Sequence, residues 1–294
     1  PTGPNGRIGP TGTTGPRGIT GPTGIGPTGF NNSSTSGTWA LLVGGQNNIA
    51  SGPTVVVGGG NSNSATGNSV TIMGGSNNII ASYNTGSIIG GGVSNNISTT
   101  AGVSGFYNTI VGGLENKINS GNTGGTIMGG VSGTISGTCS TIGGGLLNGI
   151  TGIFSTIGGG FNNRIGTQVV GATASVIGGG LQNNITRQYS VIGGGSSNII
   201  SSEYSIIGGG LTNNITGNYS TIIGGSSGSI INSAQYSTIA GGTNHTIASN
   251  NSTIIGGFSN FVNGTSSTIV GGSSNGITGI SCVINGGFMN KIVA

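Results

Sequence analysis

Carboxylates are nearly missing from this 294-residue chain: Asp does not occur, and Glu115 and Glu203 are the only acids. His245 is the only histidine, and Cys139 and Cys282 are the only cysteines. Charged residues make up 3% of the sequence, where ordinary globular chains carry roughly a quarter. A catalytic triad needs a base with an orienting partner, and a glycosidase needs two positioned carboxylates. Structural zinc takes four Cys or His ligands, and calcium-binding β-rolls need recurring Asp. None of these can be assembled within one chain, so no enzyme activity, catalytic residue, metal site or cofactor is expected. The basic residues Arg7, Arg17, Lys117, Arg164, Arg187 and Lys291 give a formal charge of +4 but are scattered. Nucleic acid needs a concentrated basic footprint, so it is not an expected partner. No apolar run reaches the length of a membrane-spanning helix, so no membrane insertion is expected of this segment. The chain opens on Pro1 without an initiator Met or a signal peptide, which points to part of a longer or processed polypeptide.

What the chain does contain is glycine, 69 residues of it, with Ile and Val supplying most of the hydrophobic content. Low charge combined with many β-branched residues argues against disorder. Residues 1–29 read PTGPNGRIGPTGTTGPRGITGPTGIGPTG, with glycine at every third position from Gly3 to Gly24. Only glycine fits at the axis of a collagen triple helix, and Pro4, Pro10, Pro16 and Pro22 fall in X positions that preset the extended backbone. The register slips once at Gly24-Ile25-Gly26 and resumes at Gly29. Such a stalk implies three chains and a length of roughly 85 Å. Its Thr-rich Gly-Pro-Thr triplets resemble the collagen-like stalks of bacterial spore-surface filaments and of large-virus surface fibres.

Beyond a linker at 30–38, one unit recurs over 39–294. Anchored on the last glycine of each Gly-Gly pair, it falls at 45, 60, 75, 92, 113, 130, 145, 160, 180, 195, 210, 225, 242, 257, 272 and 287. Ten of the fifteen spacings are 15 residues, and the longer ones carry insertions of two, five or six residues that are expected to form surface loops. Three residues before the anchor stands Ile in fourteen of sixteen units, as at Ile142, Ile157, Ile177, Ile192, Ile207 and Ile222. Five residues after it stands Ile in thirteen, as at Ile185, Ile200 and Ile215. Three residues after it stands Asn in thirteen, as at Asn148, Asn163, Asn183, Asn198 and Asn213.

Two aliphatic columns half a unit apart suit a coil of two short strands that aim Ile from opposite walls into a thin core. The expected fold is therefore all-β, a parallel β-solenoid (β-roll) of about sixteen 15-residue coils. At about 4.8 Å per coil the rod would be roughly 75 Å long. Gly-Gly and Asn are expected at the tight corners, where positive φ is tolerated. The Asn column is expected to form an amide ladder along the rod. Residues four and two before the anchor should face outward, among them Val43, Met73, Val111, Met128, Ile223, Ala240, Ile255 and Val270. That apolar set calls for burial against sister chains, so a homotrimer is expected. Trp39 is expected to cap the first coil, while FMNKIVA leaves the last one little cover.

Tandem units such as YSTIIGG followed by ITGNYS resemble the head repeats of YadA-like trimeric autotransporter adhesins, which fold as a left-handed β-roll. The resemblance spans residues 40–294. It implies a trimeric, extracellular, adhesive head, with the Gly-X-Y segment standing where those adhesins carry a coiled-coil stalk.

Other features have plainer readings. The glycine runs are not phosphate loops, because none continues as Gly-Lys-Ser/Thr into a helix. His245 replaces an Asn of the ladder, so a turn or ladder role is expected of it. Aromatics recur six residues before the anchor at Tyr107, Phe154, Tyr189, Tyr204, Tyr219 and Tyr236. The last four should form a vertical stripe that either packs over corners or binds a ligand. Asn96, Asn184, Asn214, Asn218 and Asn263 begin Asn-x-Ser/Thr triplets, which matter only in a eukaryotic secretory pathway. Cys139 and Cys282 lie in different coils and cannot bridge within one rod. The expected function is a structural or adhesive surface fibre at a spore, cell or virion surface, with itself and a surface carbohydrate or host receptor as partners. Alternatives are an end-to-end polymerising filament subunit and an ice-binding solenoid, the latter on account of the column Thr141, Thr156, Thr221, Thr238, Thr253 and Thr268.

Overall fold

The computed structural model describes residues 34–98, 100–167 and 172–293. The Gly-X-Y stretch 1–29 and the start of the linker lie outside the described residues.

Each unit closes one coil through two-residue strands. One strand carries a Thr, Val or Ile followed by the inward Ile, as in Val191–Ile192 and Ile206–Ile207. The other ends on the second inward Ile, as in Ile199–Ile200 and Asn214–Ile215. Stacked coils pair strand on strand in parallel, giving one wall of sixteen strands and an opposite wall of seventeen. The register keeps like on like: Ile192 pairs with Ile207 and Ile207 with Ile222 in the first wall, Ile185 with Ile200 in the second. No helix occurs among the described residues. The chain is thus an all-β parallel β-solenoid of about sixteen coils.

The core lies between the walls and is thin. Ile142, Ile157, Ile177, Ile192, Ile207 and Ile222 face Ile185, Ile200 and Ile215, all with no exposed surface. Removing such a side chain from water stabilises the fold by roughly 1.5–3 kcal/mol per residue. β-Branched Ile suits this place because its stiff side chain packs against an identical neighbour one coil away.

Three corners per coil require positive φ; the glycine corner lies where it was expected, but the ladder Asn does not take positive φ. The anchor glycine takes φ near +90°, for example Gly210 at 97°. A Cβ at Gly210 would collide with the carbonyl oxygen of Gly225 one coil on, so close approach as well as φ demands glycine. The other two corners are left-handed but carry ordinary residues: Ser197 and Thr212 two after the anchor, Tyr189 and Tyr204 six before it. A reversal of peptide direction explains both. Ser196 N–H donates forward to Gly210, whereas Ser197 N–H donates backward to Leu181, each with good geometry. Reversing one peptide plane between neighbours puts the second residue in the left-handed region, and two inter-coil hydrogen bonds offset that cost.

Two further expectations change. Trp39 is not a cap, because Ser34–Thr35 already pairs with Ile49–Ala50 and extends the solenoid back into the linker. Trp39 stands 58% exposed at φ 61°, in the same corner column as the tyrosines. The inserted segments are mostly exposed at Ser82–Tyr83, 100–104 and 231–233. Around the early insertions, however, Asn84–Thr85 pairs with Gly105–Phe106 as a third short ladder.

Candidate functional site

Inside the rod, polar side chains run in two columns that mirror each other. Every Asn of the expected ladder except Asn290 in the last coil is buried, but the main partners are backbone groups. Asn198 Nδ2 donates to Gly194 O and Gly210 O, both at 3.0 Å, and its Oδ1 accepts from Asn213 N–H at 3.0 Å. Amide-to-amide contacts are occasional, as between Asn198 and Asn183 at 3.1 Å. The ladder is therefore chiefly side chain to backbone, which satisfies the carbonyls that the glycine corner turns inward.

From Ser140 to Ser267 a second column, which sequence reasoning reads as plain strand, runs eight residues before the ladder position: Ser140, Ser155, Ser175, Ser190, Ser205, Ser220, Ser237, Ser252 and Ser267, all buried. Ser205 Oγ accepts from Ser220 N–H at 3.3 Å and donates to Glu203 O and Gly217 O. Its signal was the fixed eight-residue offset from Asn, the same offset that separates the two Ile columns. Each coil is two half-turns built alike: a left-handed residue, a buried polar one, an outward one, then an inward Ile.

His245 takes the place of an Asn and is fully buried. Its Nδ1 accepts from Asn260 N–H at 3.2 Å, and its Nε2 has no partner where an Asn amide makes two bonds. Burial pushes its pKa below the ordinary 6.5. It is a ladder residue in a place where a ring fits less well than an amide.

Tyr189, Tyr204, Tyr219 and Tyr236 come together as expected. Their rings stack with centroids 4.9, 5.1 and 4.9 Å apart and tilts of 15°, 4° and 6°. The two-residue insertion before Tyr236 leaves the stack unbroken. Crowding by the stack, the neighbouring Tyr189 and Tyr219 and the Glu203 carboxylate push the Tyr204 phenol above 10.0. Both faces of Tyr204 and Tyr219 are occupied by neighbours, so a sugar could lie flat only on the outer faces of Tyr189 and Tyr236. Tyr107 and Phe154 share the column but stand apart from the four. Cys139 lies exposed in that corner column, and Cys282 ends the serine column; neither is in a disulfide.

Charge divides the surface. Within the repeats the charged residues are Glu115, Lys117, Arg164, Arg187, Glu203 and Lys291. All lie outside the first wall: from six residues before the anchor to one after it, no coil carries a charge. That same wall exposes Val43, Met73, Val111, Met128 and Ile223, each at 55–62%. One residue past the anchor, Val93, Leu114, Leu146, Phe161 and Leu181 add a second exposed apolar column, paired coil to coil.

Among the described residues no cluster of three His, Cys, Asp or Glu side chains exists, and no helix is long and apolar enough to cross a membrane. No protein-family model matches the chain, and no curated protein matches it either.

Proposed function

We propose that the chain is a surface-fibre protein: a collagen-like stalk at 1–29 joining three chains, and a β-roll rod through which it attaches to or displays itself on a spore, cell or virion exterior. The observation that carries this reading is the sidedness of the rod. Sixteen coils keep one wall free of charge while leaving Met, Ile and Val side chains of that wall exposed. Exposed apolar patches of this extent mark surfaces that are covered in the working assembly. Sister chains are the natural cover, because a Gly-X-Y stalk delivers three copies parallel and level with one another. The rod carries no catalytic constellation; its work is mechanical, and the tyrosine stack braces its corners.

Imaging of single particles tests the proposal. Thick rods about 75 Å long, each with a thin tail that collagenase removes, are expected. Slender single rods without a tail would overturn it. The YadA-like resemblance adds adhesion to this reading, and an outward face able to hold a ligand is what adhesion requires.

A further inference from the structure

The opposite wall, where the charges gather, carries a groove of about 570 Å3 across several coils. Gly149 is its floor. In the outward column of that wall, Lys117 pairs with Thr134, Thr134 with Gly149 and Gly149 with Arg164. Other coils place Ile199 or Phe261 in this column, so glycine here leaves a gap that a side chain elsewhere fills. A Cβ on Gly149 would meet nothing within 4 Å. Rims come from Ser136, Thr151, Asn119, Asn162, Leu147 and Arg164, a lining mostly of hydroxyls and amides with one exposed leucine and one guanidinium.

Charge along the groove is sparse: Arg164 is the one charged side chain that lines it. Lys117, also exposed, lies outside the lining, three coils from Arg164 or roughly 14 Å. Glu115 lies at the same end as Lys117, where its carboxylate accepts a hydrogen bond from Ser132 Oγ at 3.2 Å. Arg164 is three coils from Glu115 and lines the groove without a carboxylate beside it.

We infer that this groove binds an acidic oligosaccharide lying along the rod axis. Hydroxyl and amide rims suit the hydroxyls of successive sugars. The coil rise is close to the repeat of an extended pyranose chain, so ring after ring meets an equivalent row of side chains. Arg164 takes a carboxylate or sulfate at one end with its planar fork. A densely charged polymer would be repelled by Glu115, so a chain with few acidic groups fits best. The inference rests on the display-fibre reading only for its biological sense. The groove belongs to one chain and lies on the wall away from the proposed trimer contact.

The test uses the full chain, calorimetric titration and three probes: a hexuronate oligomer, a sulfated oligomer and a neutral oligomer of matched length. Binding by an acidic oligomer, weakened at least tenfold by Arg164→Gln and abolished by Gly149→Phe, is expected. Gly276→Phe is the control, because Gly276 occupies the same column in a later coil and also faces open space. It should leave both binding and the circular dichroism spectrum unchanged. Three results would overturn the site: no acidic oligomer binding, equal binding of the neutral oligomer, or Gly149→Phe binding like the parent. Particle mass, measured on the same samples, reports separately on the trimer.

Discussion

Position rather than residue type decides what each polar side chain in this rod contributes. An Asn in the ladder closes two inward carbonyls and receives one N–H, so replacing it leaves buried groups unpaired at roughly 1–3 kcal/mol. His245 meets only part of that demand. His245→Asn should therefore raise the stability of the rod by about 1–2 kcal/mol, read as a higher denaturation midpoint. The pH dependence follows from the same burial. A depressed folded pKa means the unfolded chain takes up the proton first, so stability is complete above about 6.5 and falls as pH drops through it. Melting the parent and His245→Asn at pH 8 and pH 5 checks this. The parent should lose more on acidification, and equal losses would contradict the account. Gly133, another ladder gap, offers an independent case: Gly133→Asn gives Asn116 a like neighbour and should stabilise by about 1 kcal/mol in the same assay.

At the scale of the coil, two neighbouring glycines make opposite predictions. Gly210→Ala combines φ near 97° with a clash against the Gly225 backbone carbonyl, and should cost about 3 kcal/mol or more. Gly209→Ala points into open space and should be nearly neutral. Urea denaturation of the two variants decides it, and similar midpoints would mean the corner is misplaced. Ile207→Asp places an unpaired charge between stacked Ile side chains and should abolish cooperative folding in the same experiment. Coil length, strand position and the Ile core were legible beforehand because a 15-residue period leaves few ways to bury two aliphatic columns. The glycine corner was legible too, but the other two were not. Residue preference points to Gly and Asn for positive φ, but here the reversed peptides impose it on Ser, Thr and Tyr. The Ser205 ladder showed in the sequence only as a fixed offset from Asn, because a small hydroxyl in a strand does not reveal its role until its partners in the next coil are known. Tyr189 to Tyr236 were legible as a column, yet the coverage of their faces depends on ring angles that no spacing reveals.

Over the whole molecule, the division between a charge-free apolar wall and a polar, charged one is the feature that links architecture to function. In the proposed fibre, one side of the rod would meet sister chains and the other would be left for a ligand. A single solenoid could tolerate a few exposed Ile or Met, since scattered apolar residues are normal on surfaces. A wall without one charge over sixteen coils is a different matter, and Ile223, at 60% exposure, stands near its middle. Ile223→Glu adds a charge to that wall without entering the core, so it should part the chains while leaving each rod folded. The decisive measurement is the mass in solution by light scattering. The account predicts close to three times 28.2 kDa for the parent and a smaller assembly for Ile223→Glu. A parent mass of 28.2 kDa, with Ile223→Glu indistinguishable from it, would contradict the account.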